Sequence, residues 1–600
     1  MFPIRTDKSA CLLILRVYMD KCKFIVISGI ILLYAGSSTV CESAVLRGDD
    51  LIIKRPWVDA RFYGSSLNSS TIYSAINSIG TSELTLLLTP GTWQITGTVI
   101  VPRNITLRLE RGCKISVNSG ITFEVNGPIE CGTNYAFDGD GIIKLKNVRE
   151  IYPEWWGAKG DGLDASAATN TTAIRRALNC LSRSTISFQP SSGTNLGSFI
   201  GATTQLKFLG GHYKINDQIE LPGYVDVEGC GQTIIEQTNQ QKGIFKGWAY
   251  QTRISKITFL NGTRQLYFYN PNVDSTIIVI DQCQFHLSSD YAIYTCGTTG
   301  GGFVYSLASP ANAGSKQITI TDTGGLNASD TIVIYNNVSE PHLTYIDSVS
   351  GSTVNIRNAV PQYWTGTNAA GSGARAEVSD FHMSAKLNIE RCKFIKPRKV
   401  MMNVCDYSTI RNSWVWVDGG NFEPDSAVFY NAMGVLILDK MMGMPSMGIE
   451  GARLARVRWI DQAEGRGWPT GIQAKNSRFG GEDGGIPIVY SYVKPATQYP
   501  FMGGHINITD CLACGGPAAQ PDSAIINLRQ GLPQLINIVN NDNILVPYIF
   551  NDGQFSLSQV ISSLPQPNMV HIKISPNMHL NAGPLIPTEL EPFVVSDSYR

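Results

Sequence analysis

The segment YPEWWGAKGDGLDASAATNTTAIRRALNCL, from Tyr152 to Leu181, decides the fold. Its first half is aromatic and then rich in glycine, which permits tight turns. Its second half places apolar residues at helical spacing, and the capping residues Asn170 and Thr171 come just before them. The segment therefore predicts a short amphipathic helix that begins near Thr171. Because no helical period follows, we expect this helix to cover the end of a structure made of strands.

An earlier segment shows the same order of elements. A helix candidate from Thr71 to Ile79 precedes alternating apolar residues, as the Thr171 helix does. The aligned glycine, aromatic and isoleucine positions are Gly91, Trp93 and Ile95 in the first copy and Gly211, Tyr213 and Ile215 in the second. The sequence therefore predicts two β-helical starts in tandem, joined by the aromatic residues 152–156.

A six-residue phrase, apolar-x-x-(Cys, Ser or Ile)-x-apolar, recurs beyond residue 234. It begins at Ile254, Ile280, Ile389, Ile410, Ala474 and Ile508. Its three-residue step breaks the period of two of a strand, so the two intervening residues must turn the chain between two strands. The second of them is Asn412, Asn476 or Asp510 in three copies, residue types that tolerate the left-handed conformation. The 21-residue step from Ile389 to Ile410 is that of one solenoid coil.

The WGAKGDG segment that runs into TTAIRRAL resembles the N-terminal cap signature of the pectate-lyase superfamily. That superfamily includes rhamnogalacturonase-like and epimerase-like enzymes and phage tailspikes. The resemblance implies an all-β fold, a right-handed parallel β-helix with an N-terminal helical cap. The coiled region lacks the NTD, DD, HG and RIK motifs of polygalacturonases and the DPHE motif of mannuronan epimerases. Residues 459–462, WIDQ, match three letters of the pectate-lyase motif WIDH, in a segment that we expect to be an ordinary strand.

Five segments are predicted along the chain. They are a secretory signal region at 1–44, an N-terminal β-helical and cap unit at 45–151, the main parallel β-helix at 152–300 and 379–551, a small all-β insert at 301–378, and a C-terminal cap or tail at 552–600. The signal prediction rests on an apolar run from Phe24 to Ala35 with Lys21 and Lys23 before it. Either Met1 or Met19 is the start, and an uncleaved anchor is the alternative.

The amino-acid composition limits the classes of partner that this protein can bind. Lys and Arg number 48, as do Asp and Glu, and only 16% of residues are charged, so no basic field for nucleic acid exists. Cys283, Cys392 and Cys511 share one position of the phrase, which predicts a stack of buried, reduced thiols rather than disulfides. The seven histidines are scattered. We expect no metal site and no cofactor, and no membrane contact once the signal is removed.

Candidate site residues lie on and beside the strands that follow the long loop of each coil. Two acidic loops enter these strands, and glycines surround the second pair of acids. The predicted catalytic residues are Glu423, Asp425, Glu482 and Asp483, and the predicted substrate-binding residues are Arg478, Tyr267, Tyr294, Tyr430 and Asn431. The corner phrases of the two loops are 64 residues apart, which the 21-residue step converts to about three coils, or roughly 14 Å.

Two functions stay open at this point. The first is a secreted, periplasmic or cell-surface protein that cleaves a polysaccharide as a hydrolase or lyase, with uronate-containing glycans among its substrates. Paired carboxylates are what glycoside hydrolysis requires, and aromatic rings and amides are suited to sugar binding. The second is a non-catalytic glycan-binding scaffold of the adhesin or tailspike kind. Neither reading predicts an oligomeric state.

Overall fold

A computed structural model describes most of the two β-helical regions, with gaps. The described residues are 22–27, 30–35, 57–180, 183–187, 198–202, 205–248, 251–270, 276–297, 304–326, 328, 331–337, 341–356, 359–360, 364–378, 383–417, 429–431, 434–445, 457–461, 471–479, 489–493, 505–513, 526–528, 533–542, 548–551, 556–563, 570–574 and 586–595.

The chain divides into two compact units, Met1–Val148 and Arg149–Arg600. In the predicted signal region, strands Cys22–Ile27 and Ile30–Ala35 pair antiparallel. Among the described residues, no helix is both long and apolar enough to cross a membrane.

The first unit contains helix α1 (Ser69–Ile79) and three parallel sheets. Asn68 caps the helix, because its side-chain oxygen accepts a hydrogen bond from the Thr71 N–H at 3.1 Å. Each of three coils contributes one strand to each sheet, and the first sheet has a fourth strand, Trp57–Asp59. The sheets consist of Trp57–Asp59, Leu84–Leu88, Ile105–Leu109 and Ile129–Glu130; of Gly91–Ile95, Cys113–Val117 and Phe137–Asp138; and of Val99–Val101, Thr122–Val125 and Ile142–Leu145.

The second unit begins with helix α2 (Ala167–Asn179). The expected start at Thr171 is wrong, because the 3₁₀ turn Asp164–Ser166 leads directly into the helix four residues earlier. Asn170 is therefore not a cap. Its side chain accepts from the Lys159 N–H at 2.7 Å and donates to the Lys214 carbonyl at 3.0 Å. It thus ties the glycine-rich segment to the first coil.

The complete coils of this unit have three strands among the described residues, which we call legs 1, 2 and 3. Legs 1 and 2 form one sheet of 20 described strands and leg 3 another of 10, and all their pairings are parallel. Leg 1 comprises Glu150–Ile151, Gln205–Lys207, Asp226–Gln237, Thr252–Leu260, Thr276–Asp281, Met383–Glu390, Cys405–Arg411, Val435–Asp439, Gly471–Lys475, His505–Thr509, Leu535–Val539, His571–Ile574 and Val594–Val595, of which the third and fourth continue into leg 2. The separate leg-2 strands are Gly211–Ile215, Gln284–His286, Lys393–Ile395, Trp414–Val417, Met442–Pro445, Arg478–Phe479 and Leu512–Ala513.

Leg 3 lies across the core from the other two. Its strands are Ile219–Leu221, Phe245–Trp248, Leu266–Asn270, Tyr291–Gly297, Lys399–Asn403, Phe429–Asn431, Val457–Asp461, Val489–Val493, Ile526–Leu528 and Ile549–Asn551. Trp459, Ile460 and Asp461 of WIDQ lie in the strand Val457–Asp461, as predicted, and Gln462 lies outside the described residues. Two leg-1 strands follow the predicted end of the β-helix at Asn551. Helix α3 (Leu557–Ser563) comes first, then the strand His571–Ile574, the 3₁₀ helix Thr588–Phe593 and the strand Val594–Val595.

The corner between legs 1 and 2 matches the predicted phrase. Asn412, Asn476 and Asp510 have φ of 49°, 50° and 54°, which confirms the left-handed turn. Five further corners turn in the same way, at Lys256, Gln282, Arg391, Lys440 and Asn540. The phrase did not predict two of these eight corners, those at Lys440 and Asn540. The residues that follow them, Met441 and Asn541, are not the Cys, Ser or Ile that the phrase requires.

The small residues of the phrase form a column inside the corner. Cys283, Cys392 and Cys511 are free thiols with at most 1% of their surface exposed. Polar side chains in this column accept hydrogen bonds from backbone N–H groups of the preceding coil. Ser413 Oγ accepts from the Cys392 N–H at 3.1 Å, and Asn541 Oδ1 accepts from the Cys511 N–H at 2.9 Å. The column therefore satisfies backbone groups that the turn leaves unpaired.

The segment between Gly297 and Met383 forms an antiparallel sheet of six described strands with a core of its own. Its strands are Val304–Ser306, Gln317–Thr319, Thr331–Tyr335, Pro341–Ser350, Thr353–Ile356 and Arg375–Val378. The remaining short elements are the antiparallel pair Arg183–Ser187 and Ser198–Ala202 and the 3₁₀ turns Ala60–Tyr63, Pro153–Trp156 and Gly366–Asn368.

Candidate functional site

A single register column runs along leg 3 and contains three of the residues predicted to bind substrate. The column consists of Lys246, Tyr267, Tyr294, Met402, Tyr430, Arg458, Tyr490 and Asn527. The columns on either side hold inward residues such as Leu266 and Ile293, both with no exposed surface. Since side chains alternate along a strand, this column belongs to the outer face of leg 3.

The end of the column nearest the cap is closed by a buried ion pair. Arg264 Nε lies 3.1 Å from Asp290 Oδ2, and the two side chains are only 2% and 8% exposed. The guanidinium carbon of Arg264 is 3.9 Å from the ring centre of Tyr294, which packs edge-to-face on Tyr267 at 5.4 Å. These contacts leave Tyr294 1% and Tyr267 7% exposed. Their ring faces are thus occupied by protein.

Arg264 and Asp290 were missed by the sequence reasoning. Both precede leg-3 strands, but they are 26 residues apart in sequence, and no local pattern links an Arg in one loop to an Asp in the next. Only the register, which places Tyr267 beside Tyr294, brings their loops together.

Tyr430 and Asn431 lie farther along leg 3 and in different columns. Tyr430 is in register with Met402 and Arg458, whereas Asn431 is in register with Asn403. Asn403 is fully buried, and its side-chain oxygen accepts from Ser408 Oγ at 2.7 Å and from the Cys405 N–H at 3.2 Å. Asn403, the register partner of Asn431 one coil earlier, therefore stabilises the turn into leg 1.

The four predicted catalytic acids lie outside the described residues. Glu423 and Asp425 belong to 418–428, which lies in the sequence between the strands Trp414–Val417 and Phe429–Asn431. Glu482 and Asp483 belong to 480–488, between the strands Arg478–Phe479 and Val489–Val493. In the sequence, each segment therefore follows a leg-2 strand and precedes a leg-3 strand.

The predicted separation of three coils is wrong. Trp414 pairs with Met442, which pairs with Arg478, so the two strands are two register steps apart, or about 9.6 Å. The 21-residue step overestimated the number of coils, because one coil between the two strands is longer than 21 residues. Leu438 and Ala474, which pair on neighbouring leg-1 strands, are 36 residues apart in sequence.

Arg478 lies on leg 2 rather than on the sheet of the tyrosines. It is exposed, and its backbone N–H donates to the Met441 carbonyl at 2.9 Å. No group of three or more His, Cys, Asp or Glu side chains in the described part of the chain is placed to hold a metal ion.

Comparison with known proteins was made at the level of family, sequence and structure. No family model and no curated protein matches. Among solved structures, the chain is similar to the tailspike gp61 of Pseudomonas phage phi297, with 11% identity, a TM-score of 0.25, and coverage of 74% of this chain and 83% of that one. It is also similar to PfbA, a surface adhesin of Streptococcus pneumoniae, with 9% identity, a TM-score of 0.28, and coverage of 67% and 91%.

A third similar structure is the A-module of the mannuronan C-5 epimerase AlgE6 of Azotobacter vinelandii, with 8% identity, a TM-score of 0.22, and coverage of 88% and 100%. The three-legged coils with parallel pairings make the fold of this chain a parallel β-helix.

Proposed function

We propose that this protein binds an extracellular polysaccharide along the outer face of leg 3 and cleaves it with carboxylates from 418–428 and 480–488. One observation supports the proposal: the leg-2 strands before the two acidic segments are two register steps apart, and the leg-3 strands after them share the Tyr430–Arg458–Tyr490 column. The proposal places the acids beside this column.

The spacing of the two segments suits acid–base chemistry. Their preceding strands are about 9.6 Å apart, close to the roughly 6.5–9.5 Å between the carboxyl groups of inverting glycosidases. In a hydrolase, Glu482 or Asp483 would protonate the leaving oxygen while Glu423 or Asp425 activates water. In a lyase, one of these carboxylates would remove the proton next to a uronate carboxyl group. The substrate of a lyase would therefore have to be acidic.

The predicted binding residues take different parts in this proposal. Tyr430 provides an aromatic contact for a sugar ring, and Arg478 supplies positive charge beside the Glu482 segment. Asn431 supports the end of its strand, as Asn403 does. Tyr267 and Tyr294 contribute through the closed end of the column, where they hold Arg264. The predicted signal at 1–44 would deliver the protein outside the cell.

Purified protein incubated with a panel of acidic and neutral polysaccharides tests the proposal. Reducing ends would report a hydrolase, and absorbance of unsaturated uronates would report a lyase. We expect Glu482→Gln or Asp483→Asn to reduce turnover at least about a hundredfold, and Glu423→Gln or Asp425→Asn to do the same for the partner acid. Glu390→Gln is the matched control, because Glu390 is an exposed acid on leg 1.

Full activity in all four variants would overturn the assignment of the acids. Binding without cleavage of any polysaccharide would favour the alternative, a glycan-binding scaffold.

A further inference from the structure

The outer face of leg 2 carries an aromatic and cationic strip that shares only Arg478 with the proposed leg-3 site. One register column consists of Lys393, Trp414, Met442 and Arg478. Lys393 and Arg478 are exposed, Met442 is 51% exposed, and Trp414 is half-buried. Within the described residues, neither Lys393 nor Arg478 forms an ion pair.

A second tryptophan widens this strip. Trp416 lies two residues along the same strand, with its ring centre 6.0 Å from that of Trp414 and an interplanar angle of 38°. Lys396 Nζ lies 5.6 Å from the Trp416 ring centre. The leg-2 strip, defined as Lys393, Lys396, Trp414, Trp416, Met442 and Arg478, thus combines two indole rings with three cations.

Core packing does not explain these tryptophans. The residue between them, Val415, is the one that points inward and is 3% exposed. The inward aromatic stack of the same leg is Phe259, Phe285 and Phe394, with ring centres 5.2 and 5.1 Å apart and no exposed surface.

The ring N–H groups of both tryptophans also lack a partner. Neither Trp414 Nε1 nor Trp416 Nε1 is hydrogen-bonded in the part of the chain that the structure describes. A tryptophan that is buried for structural reasons normally has its N–H paired. The outward position and the unpaired donors together favour a role in binding.

We propose that the leg-2 strip is a second polysaccharide-binding site, selective for chains that carry carboxylate or sulfate groups. The apolar faces of pyranose rings would stack on Trp414 and Trp416, and Met442 would extend the apolar surface. The cations would pair with the anionic groups, and Arg478 can do so with two parallel hydrogen bonds. Lys393 and Arg478 are three register steps apart, about 14 Å, so the strip spans several sugar units.

This inference rests on the proposed function only in taking a polysaccharide as the ligand. The strip and the leg-3 column lie on different sheets. Occupation of the strip requires none of the predicted catalytic acids, so the two proposals can fail separately.

Affinity electrophoresis of the full chain in gels that contain polygalacturonate, alginate or dextran tests the strip. Trp414→Ala and the double variant Lys393→Gln/Arg478→Gln should each weaken retardation by polygalacturonate or alginate at least about tenfold. Relative to a gel without polysaccharide, dextran should retard neither variant more or less than the parent protein, because dextran has no charged groups. Circular dichroism would check that each variant folds.

Two matched controls lie on leg 1 of the same coils. Tyr407→Ala removes an aromatic ring that is 41% exposed, and Lys386→Gln removes an exposed cation. Both should bind within about twofold of the parent protein. Equal losses in the controls, or unchanged binding in folded Trp414→Ala and Lys393→Gln/Arg478→Gln, would overturn the strip as a site.

The leg-3 proposal is distinguished by Glu482→Gln. If this variant loses cleavage while Trp414→Ala binds normally, the leg-2 strip is overturned and the proposed function stands. If Trp414→Ala loses binding while the parent protein cleaves nothing, the strip stands and the proposed enzyme is overturned.

Discussion

At the scale of single residues, Glu154 is the most unusual group in the cap. It lies between Pro153 and Trp155 and is 8% exposed. One carboxyl oxygen accepts from the Tyr213 hydroxyl and from the Leu209 N–H, and the other has no hydrogen-bond partner among the described residues. Burial therefore raises the pKa of Glu154 above its usual range.

Glu154 should make the stability of the second unit depend on pH. A carboxyl whose pKa is higher in the folded state contributes most below its unfolded pKa of about 4.3, and its contribution falls as pH rises through the folded value. We therefore expect Glu154→Gln to gain stability relative to the parent protein between pH 4 and pH 8. Urea unfolding at a series of pH values measures this difference.

Glu150 supplies a control of opposite sign. Hydrogen bonds from Lys207 and Tyr152 lower the pKa of Glu150, so its contribution is present above the unfolded pKa and is lost as pH falls. Glu150→Gln should lose stability at pH 7 and approach the parent protein near pH 3. If Glu154→Gln showed no pH-dependent difference from the parent protein, Glu154 would not be the titrating group.

At the scale of the element, the left-handed corner decides how legs 1 and 2 meet. Corner side chains also connect successive coils: Lys256 Nζ lies 2.6 Å from Glu228 Oε1, Arg391 Nη2 lies 2.6 Å from Asp281 Oδ2, and Asn476 donates to Asp439 at 3.1 Å. Each contact joins a corner to the acid of the coil before it. The corner therefore sets both the turn and the stacking.

Asn412 tests the backbone part of the corner. Its φ of 49° costs an alanine roughly 1–2 kcal/mol, whereas glycine adopts it freely. We expect Asn412→Ala to lower the free energy of unfolding by about that amount and Asn412→Gly to lose less. Asn388→Ala is the control, because Asn388 is an exposed strand residue. Equal losses for alanine and glycine at 412 would contradict the prediction.

Ser413 tests the inner part of the corner. Ser413→Ala would leave the Cys392 N–H, now paired with Ser413 Oγ, buried without an acceptor. An unsatisfied buried donor costs about 1–3 kcal/mol. Denaturant unfolding of Ser413→Ala should show a loss in this range, as should Ser477→Ala, whose Oγ accepts from Met441 N–H at 3.0 Å. A loss in neither variant would mean that these hydrogen bonds do not stabilise the corner.

At the scale of the whole molecule, the thiol column reports on the integrity of the stacked coils. Burial raises the pKa of Cys511 to about 12 and that of Cys392 well above its usual range. Cys230, by contrast, is exposed. We expect a thiol reagent at pH 8 to modify Cys230 rapidly and Cys283, Cys392 and Cys511 only on unfolding. Peptide mass mapping of the labelled native protein measures this, and early labelling of the three would contradict the stacked arrangement.

The insert should be dispensable for the β-helix. Leg-1 strands on either side of it pair directly, with Ile280 opposite Ile389, and the insert has its own core around Trp364. The next coil makes the same connection from leg 3 to leg 1 through Val404 alone. A variant in which a short glycine–serine linker replaces 301–378 should keep its β-sheet circular dichroism and melt within a few degrees of the parent protein. Loss of that signal would show that the insert stabilises the coils.

The local features of this protein were predictable from its sequence. The corner phrase predicted the left-handed turns at Asn412, Asn476 and Asp510 and the buried thiols, because a corner restricts φ and side-chain size within a few residues. The tandem alignment paired Trp93 with Tyr213, and both are buried. The Trp93 ring N–H donates to the Thr89 carbonyl, and the Tyr213 hydroxyl lies 3.3 Å from the Leu209 carbonyl, also four residues earlier.

The site depended on tertiary structure. The sequence indicated tyrosines and acidic loops, but the number of coils between the strands Trp414–Val417 and Arg478–Phe479, the register of Asn431 with Asn403 and the Arg264–Asp290 pair follow from tertiary structure. Loops of variable length separate the strands, so distance along the chain does not measure distance along the helix axis. That axial distance is set by interstrand hydrogen bonds between residues far apart in sequence, and it alone brings Trp414 and Arg478 onto one face.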